Sequence, residues 1–189
     1  MKHQITLPLT KEHTAKLHAG DTVILGGTVY TARDAAHQRL ISMLEQGEAL
    51  PFELNNAAIY YVGPSPSIDN MPLGSAGPTT SIRCDKYTPK LLENGLTVMI
   101  GKGKRSQVVK DAIVTHSAVY LAAVGGAGAL LSSCIKESKV VAFDDLGTEA
   151  IRELQIENFP AIVINDCHGG DYYDSARTAY LESNISRHI

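Results

Sequence analysis

In the second half of the chain, apolar runs of strand length alternate with stretches of helical spacing, and glycine-containing turns often separate them. Leu96-Thr97-Val98-Met99-Ile100 leads into Gly101-Lys102-Gly103. Ser106 then caps a helix expected to run to about residue 115, with Val108, Val109, Ala112 and Ile113 as its inner stripe. The pattern continues with a strand over 118–123, a turn over 125–128 and a short helix over 129–134. A strand over 139–143, a helix over 146–154 and a last strand over 160–165 complete it. Such alternation predicts a layered α/β domain with parallel or mixed strand pairing, because each strand must be covered by the helix that follows it.

The first half fits the same class. A short strand over 4–7 precedes Pro8 and a polar stretch of helical character that ends near Gly20. Residues 21–30 are rich in β-branched side chains and interrupted by Gly26-Gly27, which predicts two strand pieces around a turn or bulge. Thr31 and Asp34 have the spacing of a capping box, and Ala35, Ala36, Leu40, Ile41 and Leu44 recur at helical intervals until Gly47. Arg33 then falls in a first helical turn, where a cation opposes the helix dipole and needs a compensating anion: a bound carboxylate or a nearby Asp or Glu. His37 in the same helix is read as a packed residue, with a proton shuttle as the sharper alternative. A strand over 57–62 leads to the longest loop, 63–76. A long loop in a compact domain tends to be functional.

That loop delivers Gly77-Pro78-Thr79-Thr80-Ser81-Ile82-Arg83. Proline suits a first helical position, and the first turn of a helix leaves N–H groups unpaired beside the positive end of its dipole, where an anion can dock. Thr79 and Arg83 stand four residues apart, so one helical face would carry both. From spacing alone, an ordinary capped surface helix is the plainer alternative. The helix is expected to reach about residue 94 before Gly95, with a kink or a fresh start at Pro89.

The 189 residues suit one domain over 1–189, with a core of about 4–173 and a polar tail, 174–189, that shows no clear packing face. A net charge of −3 gives no reason to expect a nucleic acid, and the Lys102-Gly103-Lys104-Arg105 cluster is too short to argue for one. No run approaches the roughly 20 apolar residues of a membrane span, and no secretory leader is recognisable, so a cytoplasmic location is expected. Cys84, Cys134 and Cys167 are odd in number and far apart, which supports neither a disulfide framework nor a metal site of the chain's own.

Three blocks in order resemble one known family. Gly27-Thr28-Val29-Tyr30-Thr31-Ala32-Arg33-Asp34-Ala35-Ala36-His37, Gly77-Pro78-Thr79-Thr80 with Arg83, and Lys102-Gly103-Lys104-Arg105-Ser106 are similar to stretches of the class I iron–sulfur fumarases and L(+)-tartrate dehydratases. The likeness is to the β subunit, or to the C-terminal domain of the fused enzymes. It implies a swivelling β/β/α domain that closes over a partner. It also implies Thr79 as the catalytic base, with Arg33, Thr80, Arg83 and Lys102 binding a small dicarboxylate. The expected cofactor is a [4Fe–4S] cluster held by the cysteines of an α subunit, in a hetero-oligomer such as α2β2, so this chain alone should be inactive.

The third block is closer to the fumarase version, which favours fumarate over tartrate, although Lys104 departs from the small polar residue of many relatives. A non-catalytic anion-binding or assembly module is an alternative of a different class. A small aconitase-type swivel subunit is a weaker one.

Overall fold

The computed structural model describes residues 1–67, 71–124 and 126–185, without the side chains of 183–185. In chain order the elements are β1 (Lys2–Leu7), α1 (Lys11–Thr14), β2 (Thr22–Thr31), α2 (Asp34–Gln46), β3 (Ala58–Tyr60), α3 (Thr88–Glu93) and β4 (Val98–Gly101). There follow α4 (Gln107–His116), β5 (Val119–Ala122), α5 (Gly128–Ser133), β6 (Ile135–Ala142), β7 (Ile151–Asn165) and α6 (Tyr172–Ile185). Short 3-10 turns occupy Ser81–Cys84 and Asp144–Glu149.

The mixed sheet has the order β1-β2-β3-β4-β5-β7-β6, and β2 also pairs with β7. Strands β2, β3, β4, β5 and β7 therefore close into a ring. The neighbours from β1 to β5 are parallel, while β7 runs antiparallel to β2, β5 and β6. Closure is possible because β7 is 15 residues long and pairs with β2 on one edge, and with β6 and then β5 on the other.

Alternation along the strands builds two cores. Ala58, Tyr60, Val98, Ile100, Val119 and Leu121 join Val23, Leu25, Leu154, Phe159 and Val163 inside the ring. Ile59, Tyr61, Met99 and Tyr120 point the other way, onto Ala36 and Leu40 of α2, Leu91 and Leu92 of α3, and Val109 and Ile113 of α4. Successive strand side chains face opposite sides, so β3, β4 and β5 are buried on both faces and read as continuous apolar runs. Each large apolar side chain removed from water contributes roughly 1.5–3 kcal/mol.

Several expectations hold. Gly47 ends α2 in a left-handed conformation (φ 69°), α3 starts afresh at Thr88 with Pro89 in its first turn, and the β2–β7 register shifts between Leu25 and Gly27. β2 is nonetheless one strand. Gly27 has φ 98°, and a Cβ there would lie 2.4 Å from the Leu7 carbonyl oxygen, so the bulge needs glycine.

Others are corrected. Residues 146–154 do not form a helix: Gly147 breaks the local 3-10 turn with φ 58° and ψ −113°, and β7 begins at Ile151. Leu146, Ala150, Ile151 and Leu154 fit helical spacing, but pairing with both β2 and β6 makes 151–156 a strand. Thr31 does not form a capping box. Its buried hydroxyl donates to the Ala150 carbonyl (3.2 Å) and accepts the Arg152 N–H (2.9 Å). Val108 is exposed, and the inner face of α4 is carried by Val109 and Ile113. The polar C-terminal stretch is largely helical, and Lys104 and Lys110 hold its start through Asp174 and Asp171. The last residues of the expected tail, 186–189, lie outside the described residues. No described helix is long and apolar enough to cross a membrane.

Candidate functional site

Because β2, β3, β4 and β5 run parallel, their C-terminal ends share one edge, the edge at which parallel α/β sheets, open or closed, present ligand-binding residues. Arg33 stands two residues beyond the end of β2. It occupies the N-cap position of α2, one residue before the first turn, with extended backbone angles (φ −118°, ψ −163°). Its guanidinium lies 3.4 Å from a carboxylate oxygen of Glu149, whose other oxygen accepts the N–H of Ala35 at 3.0 Å. The expected compensation is thus present as a protein carboxylate. The buried Nε of Arg33 has no hydrogen-bond partner among the described residues. Gly63, beyond β3, leaves space for this side chain: a Cβ there would lie 2.6 Å from an Arg33 terminal nitrogen.

The segment after the long loop is anchored to β3 and β4 instead of opening a helix. Both the N–H and the hydroxyl of Thr79 donate to the carbonyl of Tyr61, at 2.7 and 2.8 Å. Thr80 forms a parallel bridge with Lys102 at the end of β4. The expected helix entrance at Pro78, with Thr79 and Arg83 on one helical face, is therefore corrected. Helical turns begin at Ser81 and last four residues. Hydrogen bonds tie Thr79 to Tyr61, Thr80 is extended (φ −66°, ψ 119°) where it bridges Lys102, and the 3-10 turn then brings Arg83 to within 3.6 Å of Asp34. Asp34 also accepts the Cys84 thiol at 3.5 Å. Lys102 is exposed and makes no ion pair among the described residues.

Arg33, Thr79, Thr80, Arg83 and Lys102 thus come from three sheet segments on one edge, joined by Asp34, Tyr61 and the Thr80–Lys102 bridge. Gly77 packs against Gly128, where a Cβ on Gly77 would lie 3.6 Å from the Gly128 Cα, so the start of α5 borders the same edge. Lys102 also borders an open cleft of about 360 Å³ shared with Tyr172, Tyr173 and Ala176 of α6.

The chain is similar over residues 1–176 to the family model described as Fumarase C-terminus. The chain belongs to the fumarase C-terminal family. Over 180 residues, 92% of each chain, it is 39% identical to a protein of Methanocaldococcus jannaschii provisionally named L(+)-tartrate dehydratase subunit beta. It is 37% identical over 164 residues to the aerobic class I fumarate hydratase of Salmonella typhimurium, and 40% identical over 151 residues to the anaerobic class I enzyme of Escherichia coli. These matches take in 86% and 79% of this chain but only 28% of either bacterial enzyme.

The cysteines of this fumarase C-terminal chain do not fit an iron–sulfur cluster. The Cys84 thiol is buried, and burial followed by the Asp34 carboxylate pushes it up to about 12. Cys134 is buried under the Leu130 and Asn158 carbonyls, and burial also raises Cys167, on the turn after β7. Among the described residues, no three His, Cys, Asp or Glu side chains are grouped to hold a metal ion.

The fumarase C-terminal fold also assembles residues that the sequence motifs did not single out. Glu149 stands 116 positions beyond Arg33 and carried no local signal. Asp34 and Ser81 lie inside the matched blocks, where adjacency to Arg33 and Thr80 was the available clue. His37 is packed as expected: it is fully buried, its Nδ1–H donates to the Arg33 carbonyl at 2.8 Å, and its ring meets Tyr61 edge-on at 5.2 Å.

Proposed function

We propose that this chain is the β subunit of a hydro-lyase that interconverts fumarate and malate, binding the dicarboxylate and supplying its base. The observation that carries this reading is the gathering of Arg33, Arg83 and Lys102 with Thr79 and Thr80 on the C-terminal edge of the parallel strands. Removing a proton from carbon beside a carboxylate builds negative charge on that carboxylate, and fixed cations stabilise it. The planar fork of an arginine matches a carboxylate in two places, whereas Lys102 acts as a point charge.

Thr79 donates its hydroxyl proton to the Tyr61 carbonyl, so its oxygen lone pairs are left for a ligand. To take a proton from carbon, that oxygen must first pass its own proton to solvent and give up the bond to Tyr61, and cations on the same edge favour the ionised form. Departure of the hydroxide needs an electrophile, and among the described residues no group of His, Cys, Asp or Glu is placed to hold a metal ion that could serve. We assign that role to a [4Fe–4S] cluster on a separate α subunit. Support for such a partner comes from the subunit name of the archaeal relative and from the fumarate hydratases, in which the matched part is under a third of the chain. Tartrate is the second substrate reading, favoured by the archaeal relative, which matches over nearly its whole length.

The test is reconstitution with a cluster-loaded α subunit, followed by assays of fumarate hydration and L(+)-tartrate dehydration. The expected result is hydration of fumarate by the complex and none by the isolated chain. Thr79→Ala should lose at least 100-fold in kcat while still binding fumarate. Full turnover by Thr79→Ala would remove the base, and activity of the isolated chain would remove the shared site.

A further inference from the structure

Of the three basic residues in Lys102-Gly103-Lys104-Arg105, two are exposed and one is turned inward. The Arg105 side chain has no exposed surface. Its Nε donates to Asp85 at 2.8 Å, and its terminal nitrogens donate to the Thr88 hydroxyl at 2.7 Å and the Tyr61 hydroxyl at 3.3 Å. The guanidinium carbon also lies 5.2 Å from the centre of the Tyr61 ring and 4.9 Å from that of Tyr120. The second oxygen of Asp85 accepts the Ser106 N–H at 2.6 Å, which closes the loop containing Arg105 back onto the 81–88 segment.

Burial by itself works against this charge. Tyr61 and Asp85, followed by Tyr120, outweigh it and keep the guanidinium protonated. Its partners lead directly to the candidate site. The Tyr61 carbonyl holds Thr79. The Tyr120 hydroxyl donates to the Gly103 carbonyl at 2.9 Å and lies 2.9 Å from the Ser81 hydroxyl, which in turn accepts the N–H of Lys102 at 3.1 Å.

We propose that Arg105 is a positioning residue: one buried guanidinium sets the spacing between the segment that carries Thr79, Thr80 and Arg83 and the loop that carries Lys102. The functional part of this inference rests on the dicarboxylate site proposed above. The geometric part stands on the contacts alone. Arg105 touches no ligand in this scheme. It works because a planar, permanently charged fork can bond Asp85, Thr88 and Tyr61 at once while its faces meet two rings, which a lysine ammonium cannot reproduce.

Two variants test it in the full chain, Arg105→Lys and the milder Tyr120→Phe, which keeps the ring and removes one hydroxyl. Amide hydrogen exchange is read by NMR well below each variant's melting temperature. Exchange at Ser81 and Lys102 should rise at least tenfold in Arg105→Lys, and less in Tyr120→Phe, while Val23 and Leu25 keep their protection. Unchanged exchange at Ser81 and Lys102, or a uniform loss through the sheet, would overturn the clamp.

With the α subunit added, Arg105→Lys should lose at least tenfold in kcat/KM, the loss falling on both kcat and KM. Wild-type turnover in a variant whose site amides have loosened would overturn the positioning role. Lys102→Ala serves as the control: if it too leaves turnover intact, the dicarboxylate site fails, and the exchange result still decides the clamp.

Discussion

Ser81 holds Lys102 from both sides. Its N–H donates to the Lys102 carbonyl at 3.0 Å, and its hydroxyl oxygen accepts the Lys102 N–H at 3.1 Å. Ser81 itself is fully buried. Ser81→Ala keeps the first bond and orphans the Lys102 N–H. A fully buried unmet donor costs about 1–3 kcal/mol and a part-buried one less, so the urea midpoint should fall by at most that amount at constant slope. An unchanged midpoint would show that water or a backbone shift replaces the hydroxyl.

Gly101 ends β4 directly beneath this contact. A Cβ there would lie 2.0 Å from the Ser81 hydroxyl and 3.0 Å from the Tyr61 ring. Overpacking of this kind costs about 1–3 kcal/mol, and Gly101→Ala should also weaken fumarate binding because Ser81 and Lys102 must move apart. Gly47→Ala is the comparison: nothing lies within 4 Å of its Cβ, so only the strain of a positive φ is felt, about 1 kcal/mol. Equal binding by the two variants would contradict the role given to the Ser81–Lys102 contact.

Glu149 pairs with Arg33, so if Arg33 grips a substrate carboxylate as proposed, the two carboxylates compete for it. The Glu149→Gln variant retains an oxygen for the Ala35 N–H and removes the charge that neutralises the guanidinium. Fumarate titrated into the full chain at low ionic strength should bind severalfold more tightly, and added salt should shrink the gain. Stability should drop by less than about 1 kcal/mol through the loss of an anion at the start of α2. An unchanged dissociation constant would mean that Glu149 and the diacid do not meet.

His37 makes the fold acid-sensitive. Burial pushes its imidazole down to about 4 from the ordinary 6.5; the Arg33 carbonyl counters this, Arg105 adds to it, and Asp34 counters it again. Between pH 6.5 and 4 the unfolded chain therefore binds a proton that the native chain excludes. Stability is complete above this window and falls as pH drops through it, by up to roughly 3 kcal/mol. His37→Gln should flatten the stability profile between pH 4 and 6.5. A slope equal to that of wild type would place the acid sensitivity elsewhere.

The parts of the fold that were legible were the locally encoded ones. The helix end at Gly47, the restart at Pro89 and the strands β3, β4 and β5 follow from glycine, proline and short apolar runs, whose conformational preferences act within a few residues. The first half of β7 was misread because Ile151 and Leu154 suit either period. Its strand conformation comes from partners in β2 and β6 that lie distant in the chain or across a turn. The site divides in the same way. Its cations and threonines stand in contiguous motifs, whereas Glu149 reaches Arg33 only after the chain has passed through four more strands.

By itself the sequence determined an α/β domain, the short segments that hold its clustered threonines and cations, and the separation of its three cysteines, because each is a matter of residue type and nearest spacing. The tertiary structure alone decided that five strands close into a ring, that Thr79 and Thr80 join strands instead of starting a helix, and that Arg105 faces inward while Lys102, three residues away, faces out. Those outcomes turn on hydrogen bonds and burial between segments far apart along the chain, where no local preference acts.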